Sequence, residues 1–248
     1  MRKVYVTRSA IPDLLTLGNV FSGFAAIIYL ADNNFILAAI YIFVAAIFDM
    51  LDGIAARILN ATSEIGAELD SLCDAVSFGL APSFMLYKAF FYQFNSLGIL
   101  LSALPVIAGV FRLARFNVQL VSFEDKMYFK GMPIPAGALT IISYVLFYVN
   151  TNILSETMLF ILSMIVVLAV PITMVSNVKY DNMPRPTKKS FKARPVFFIY
   201  VILAIIISIA SKGYAIFPLM LIYMIVTPIK NGIVKFLHYH KKNNNDNN

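Results

Sequence analysis

Long apolar stretches broken only by short runs of turn formers leave this 248-residue chain few ways to fold. Eight such stretches can be drawn, at 13–31, 35–57, 70–92, 96–118, 134–149, 153–175, 196–211 and 214–230. Between them lie Asp32-Asn33-Asn34, Asn95-Ser96, Asn150-Thr151-Asn152 and Ser211-Lys212-Gly213. Most approach the roughly 20 apolar residues that a helix needs to cross a bilayer. Their apolar character is continuous rather than alternating, which disfavours a transmembrane β-barrel. Hydrophobic residues make up 60% of the chain and charged ones only 13%, against about a quarter charged in a soluble domain. The expected fold is an all-α integral membrane protein: a single polytopic bundle of about eight transmembrane helices over residues 1–236. A polar tail at 237–248 is expected to be disordered.

Charge sets the expected orientation. The net charge is +7, and anionic lipid headgroups explain a basic membrane protein better than nucleic acid does. The N-terminus Met1-Arg2-Lys3-Val4-Tyr5-Val6-Thr7-Arg8 is basic, and the apolar segment after it carries Asn19 and Gly23 with no small-residue cleavage site. A retained first helix is therefore expected rather than a secretory signal. With that end cytoplasmic, one side collects Arg57, Lys126, Lys130 and the basic residues of 179–194 and 230–242. The other side receives Lys212 and the snorkelling Lys88. Both termini are thus expected in the cytoplasm, and a prokaryotic plasma membrane is the expected location. The longer connections, about 59–68 and 176–195, fall on the basic side. The second, with Pro184-Arg185-Pro186 and Lys188-Lys189, reads as a solvated, lipid-facing loop.

Against this background, Asp49, Asp52, Asp70 and Asp74 are an energetic problem. Each pair, spaced i,i+3 or i,i+4, projects from one face of its helix, and uncompensated carboxylates at membrane depth are costly. A hairpin of the second and third helices would gather all four at the cytoplasmic interface. Oxygen ligands alone select hard cations such as Mg²⁺, Mn²⁺ or Ca²⁺ and argue against zinc. His238 and His240 lie in the terminal region, and Cys73 reads as packing filler. Gly53, Ala56 and Gly66 leave space near the carboxylates, which serves close helix packing and admission of a flat nucleotide equally. Arg57, one turn beyond Asp52 and Gly53, suits bidentate phosphate recognition.

The run Asp49-x2-Asp52-Gly53-x2-Ala56-Arg57-x8-Gly66-x3-Asp70-x3-Asp74 resembles the signature of the CDP-alcohol phosphotransferases at every fixed position. That resemblance implies transfer of a phosphoalcohol group from a CDP-linked donor to a hydroxyl, with release of CMP. It also implies that Asp49, Asp52, Asp70 and Asp74 hold a centre of one or two metal ions, Mg²⁺ or Mn²⁺, and that Asp74 is also the general base. Asp52, Gly53, Ala56, Arg57 and Gly66 would line the CDP site, with Ser63 a phosphate contact and a homodimer the expected assembly. For Thr16 and Asn19, donor contact and polar helix packing stand side by side.

Further segments are similar to the phosphatidylserine synthase branch of that family. They are Pro12-Asp13-Leu14-Leu15-Thr16-Leu17-Gly18-Asn19 with Gly23, Arg112-Leu113-Ala114-Arg115-Phe116-Asn117, Phe129-Lys130-Gly131-Met132-Pro133-Ile134-Pro135, and Met174-Val175-Ser176-Asn177. Asp13 and Met132 depart from the commoner asparagine and leucine. The branch implies CDP-diacylglycerol as donor, entering from the bilayer, and L-serine as acceptor, arriving from the cytoplasm. Arg112 and Arg115, costly in an apolar helix, would receive the serine carboxylate and a donor phosphate, unless they snorkel to headgroups. Asn117 and Lys130 are further candidates, and Lys130 also reads as an interfacial anchor. The rival readings are another acceptor in the same class, glycerol 3-phosphate or inositol, and a cation transporter with an aspartate-lined path. The transporter reading is disfavoured because the carboxylates cluster toward one face.

Overall fold

The computed structural model describes residues 10–61, 63–121, 128–149, 151, 153–181 and 195–246, without the side chains of 119–121, 128–130, 179, 181, 195–198 and 233–246. The basic N-terminus, Lys126, and the Pro184–Lys189 motifs of the second long loop lie outside the described residues, as do the side chains of Lys130, His238 and His240.

Helix α1 spans Ala10–Ala31 and α2 spans Phe35–Ile58. The Asn34 side chain caps α2 by accepting from the Leu37 N–H at 3.1 Å. Helix α3 (Glu64–Asp74) runs through a π-helical segment, Ala75–Leu80, into α4 (Ala81–Ala89). A 3₁₀ turn, Phe91–Phe94, leads to α5 (Asn95–Val121). Helix α6 (Ile134–Tyr144) ends in a second π segment, Val145–Val149, and α7 spans Glu156–Val175. Helices α8 (Pro195–Ala210) and α9 (Ile216–Asp246) follow.

Among the described residues five helical stretches are long and apolar enough to cross a membrane, and Ile134–Val149, Ile199–Ala210 and Ile216–Gly232 are shorter apolar helices. These are the eight segments expected from hydropathy, and the chain is an all-α membrane protein. Two boundaries differ. The third segment starts at Glu64 rather than 70, because Ser63 caps the helix by accepting from the Gly66 N–H at 2.9 Å, and its first turn is polar. Hydropathy cannot see such a start, and the connection shrinks to 59–63. At the other end α9 runs helical through Asp246, past the boundary expected at 237. Extending an existing helix requires no new nucleus.

Large apolar side chains point outward all round the bundle, among them Leu14, Phe21, Phe43, Ile172 and Ile209. A water-soluble fold would bury such surface; here it is what lipid contacts. The interior is built differently. Ala26, Ala38, Ala39 and Ala45 let α1 and α2 approach closely, while Met85, Ile141 and Val170 fill the space among α4, α6 and α7. Helix α5 packs on α4, α7 and the first π segment.

Among the described residues one short antiparallel ribbon links the segments that follow α5 and α7: β1 (Tyr128–Lys130) pairs with β2 (Lys179–Asp181), with Phe129 opposite Tyr180. Gly131 closes it, donating its N–H to the Val178 carbonyl at 2.8 Å with φ +87°. A Cβ there would fall 2.0 Å from the Met174 carbonyl oxygen. Gly131→Ala should therefore lower stability by at least about 1–2 kcal/mol, read as an earlier thermal unfolding transition in detergent.

Candidate active site

Helix α1 assembles this site. It packs against α2, α3 and the first π segment, and so stands between the two aspartate pairs. Asp49 and Asp52 leave the last turns of α2, and Asp70 and Asp74 leave α3, on either side of the 59–63 connection. Asp49, Asp70 and Asp74 each offer a carboxylate oxygen, and the three oxygens lie within 4.8 Å of one another. Asp52 is outside that tight set but close enough to repel all three electrostatically. Its Oδ2 lies 2.7 Å from Thr16 Oγ1, whose single proton is shared with the Pro12 carbonyl at 3.0 Å.

Asp74 is 8% exposed, and its Oδ1 accepts from Asn19 Nδ2 at 3.1 Å. Thr16 and Asn19 thus reach the site through the carboxylates, each holding one of them from α1. Asp70 Oδ1 is buried with no hydrogen-bond partner among the described residues. A buried carboxylate oxygen so placed, beside two more carboxylates, fits a hard divalent cation. The donor set is oxygen throughout; Cys73 is buried nearby as a free thiol.

The remaining candidates separate into two groups. At the α2 end Arg57 is exposed and turns back along its own helix, Nε donating to the Gly53 carbonyl at 2.6 Å. A Cβ added to Gly53 would meet nothing nearer than Arg57 Nη2 at 4.0 Å, so packing does not demand the glycine and the backbone stays approachable. Ala56 lies half-buried one turn on from Asp52. Ser63 caps α3, and a Cβ on Gly66 would stand 2.9 Å from Ser63 Oγ and 3.7 Å from Asp13 Oδ1. Arg57 and Ser63 thus lie on the two sides of the connection between α2 and α3.

At the α5 end Arg112 is 7% exposed and interacts electrostatically with Asp74, Arg115 and Tyr223. Arg115 donates from Nη1 to the Val175 carbonyl at 3.0 Å and from Nη2 to the Ser176 carbonyl at 3.3 Å. A guanidinium on the last carbonyls of α7 satisfies its C-terminus and complements its dipole. Asn117 fastens α5 to α3, donating to Glu68 Oε2 at 3.0 Å and accepting from Ser71 Oγ at 3.1 Å. Lys130 contributes the end of β1.

Sequence reasoning missed Glu68, Ser71 and Ser77, whose residue types carry no signal until their partners across the bundle are known. It also missed Tyr180, a fully buried ring edge-on to Tyr223 with centroids 5.4 Å apart. The Tyr180 hydroxyl has no hydrogen-bond partner among the described residues, and burial pushes the phenol up to about 12, so it keeps its proton at neutral pH. Asp49→Asn and Asp70→Asn should each weaken Mn²⁺ binding at least about tenfold by isothermal titration. Asp32→Asn, in the exposed turn after α1, should leave it unchanged.

Buried carboxylates at one end of a lipid-facing bundle, an arginine at their side and an open glycine are parts for handling a phosphate. Comparison with known proteins agrees. The family model described as CDP-alcohol phosphatidyltransferase matches residues 9–175, from α1 to the end of α7. A CDP-diacylglycerol–serine O-phosphatidyltransferase of Helicobacter pylori is 36% identical over 227 residues, covering 91% of this chain and 90% of that protein. One of the same name from Methanocaldococcus jannaschii is 34% identical over 229 residues, 92% of this chain and 94% of that protein. An archaetidylserine synthase of Methanothermobacter thermautotrophicus is 35% identical over 176 residues, 70% of each chain. With the whole carboxylate site inside the matched region, this chain belongs to the CDP-alcohol phosphatidyltransferase family.

Proposed function

We propose that this membrane enzyme transfers the phosphatidyl group of CDP-diacylglycerol to the hydroxyl of L-serine, giving phosphatidylserine and CMP. The observation that carries the reading is the convergence of Asp49, Asp70 and Asp74 at one end of the bundle, in a chain whose long relatives bear that enzyme's name. A phosphotransfer between a lipid donor and a water-soluble acceptor needs a site at the interface, where acyl chains enter sideways and serine arrives from solution.

In this mechanism the serine hydroxyl attacks the phosphorus next to the diacylglycerol oxygen, and the bond to the CMP phosphate oxygen breaks as the new P–O bond forms. Asp74 accepts the hydroxyl proton through the carboxylate oxygen not held by Asn19. Asp49, Asp52, Asp70 and Asp74 are the residues that would hold Mg²⁺ or Mn²⁺, one ion or two. Such an ion supplies neutralisation of the diphosphate charge. Gly53, Ala56, Arg57, Ser63 and Gly66 accommodate the CDP moiety, with Arg57 swinging from the Gly53 carbonyl onto phosphate. Thr16 and Asn19 support the donor side through Asp52 and Asp74. Arg112 receives the serine carboxylate, assisted on that side by Arg115, Asn117 and Lys130.

The excess of Lys and Arg in alternate connections supports cytoplasmic termini and a cytoplasm-facing site in a prokaryotic plasma membrane. A homodimer completes the proposal. Purified protein given CDP-diacylglycerol, Mg²⁺ or Mn²⁺ and labelled serine should release CMP and labelled phosphatidylserine, and chelation should stop it reversibly. Reaction with glycerol 3-phosphate or inositol but not serine would refute the acceptor. Asp74→Asn should lower kcat about 10²–10⁴-fold, the usual range for a lost general base, while the thermal transition stays near wild type.

A further inference from the structure

Asp74 ends α3, and the chain passes at once into the π-helical segment Ala75–Leu80. A π turn shifts the hydrogen-bond ladder by one residue and re-aims the side chains around it. Ser77, in that segment, is fully buried, and its Oγ donates to the Asn19 carbonyl at 3.0 Å. That carbonyl already serves α1, so Ser77 uses its second lone pair.

One turn further along the same face of α1 is Gly23. A Cβ there would fall 2.3 Å from Ser77 Oγ and 2.8 Å from the Ser77 Cα, so the two backbones are in direct contact. This contact fixes the distance at which Asn19 meets α3. The Asn19 side chain is fully buried and places Nδ2 3.1 Å from Asp74 Oδ1.

We propose that Gly23, Ser77 and Asn19 form a clamp that sets the orientation of Asp74, with Asn19 as a positioning residue rather than a donor contact. Gly23 supplies the approach, Ser77 fixes the Asn19 backbone, and the Asn19 amide holds one Asp74 oxygen. The second oxygen is thereby turned to the work of the site. The inference rests on the reading that Asp74 belongs to the metal-holding carboxylate site.

The test compares Asn19→Ala, Ser77→Ala and the double variant in detergent-purified full-length protein. It reads Mn²⁺ affinity by electron paramagnetic resonance, kcat and KM for both substrates, and the thermal transition. Asn19→Ala should weaken Mn²⁺ binding and lower kcat about 10–100-fold, the range for partners that orient ligands. KM for CDP-diacylglycerol should stay within about twofold, since the amide acts through Asp74. Ser77→Ala should give a smaller loss of the same kind, and the double variant should be no worse than Asn19→Ala, because both act on one group. Gly23→Ala should match Asn19→Ala where it folds. Wild-type Mn²⁺ affinity and kcat in Asn19→Ala, a rise confined to KM for CDP-diacylglycerol, or losses that multiply in the double variant would each overturn the clamp. Asp74→Asn separates the two readings. If it turns over normally while Asn19→Ala loses Mn²⁺ affinity, the clamp stands and the base assignment falls; if it is inactive while Asn19→Ala is wild type in both readouts, the clamp alone falls.

Discussion

Holding carboxylates of like charge beside one another in an apolar bundle is the constraint to which the rest of this structure answers. Each carboxylate taken from water loses solvation, and each neighbour of the same sign adds repulsion. The fold offsets this in three ways. It sets the group at one end of the helices rather than at mid-depth, it gives Asp52 and Asp74 hydrogen-bond donors from α1, and it places the buried Arg112 within electrostatic reach of Asp74. A divalent cation would offset the remainder, and Asp70 Oδ1 is a buried oxygen without a hydrogen-bond partner among the described residues.

The packing around this group is correspondingly specific. Three fastenings hold the site's helices in register: Ser77 ties α3's continuation to α1, Asn117 ties α5 to α3, and Arg115 ties α5 to the end of α7. All are polar contacts at or near the end of the bundle that carries the carboxylates. Elsewhere the helices meet largely through apolar and aromatic side chains, with Tyr144 bonded to Ser163 as a polar exception, and lipid-facing surfaces carry large apolar residues. A membrane bundle draws little hydrophobic drive from helix association, so close approach and interhelical hydrogen bonds decide which faces meet.

Much of this was legible in the chain. Hydropathy placed all eight apolar helices, and a motif with fixed gaps singled out Asp49, Asp52, Asp70 and Asp74 together with the family. The start of α3 was not legible, because Ser63 and Glu64 form a capped polar turn that an apolar window passes over. Nor was the employment of Arg115 and Asn117. From sequence they read as substrate ligands, since a charged or amide side chain in an apolar helix signals function. In the fold they also fasten helix ends, with contacts to Val175, Ser176, Glu68 and Ser71 that lie 46 to 61 residues away in the chain.

The sequence alone therefore determined the membrane class, the helical segments and the family, because apolar run length and motif spacing are written along the chain. Tertiary structure decided which three of four carboxylates converge, that α1 is the element holding the other two helices' aspartates, and which polar residues fasten one helix to another. Those outcomes depend on how closely helices cross. At Gly23 and Ser77 that distance is set by the absence of one methyl group, a quantity that acquires meaning only when both backbones are in place.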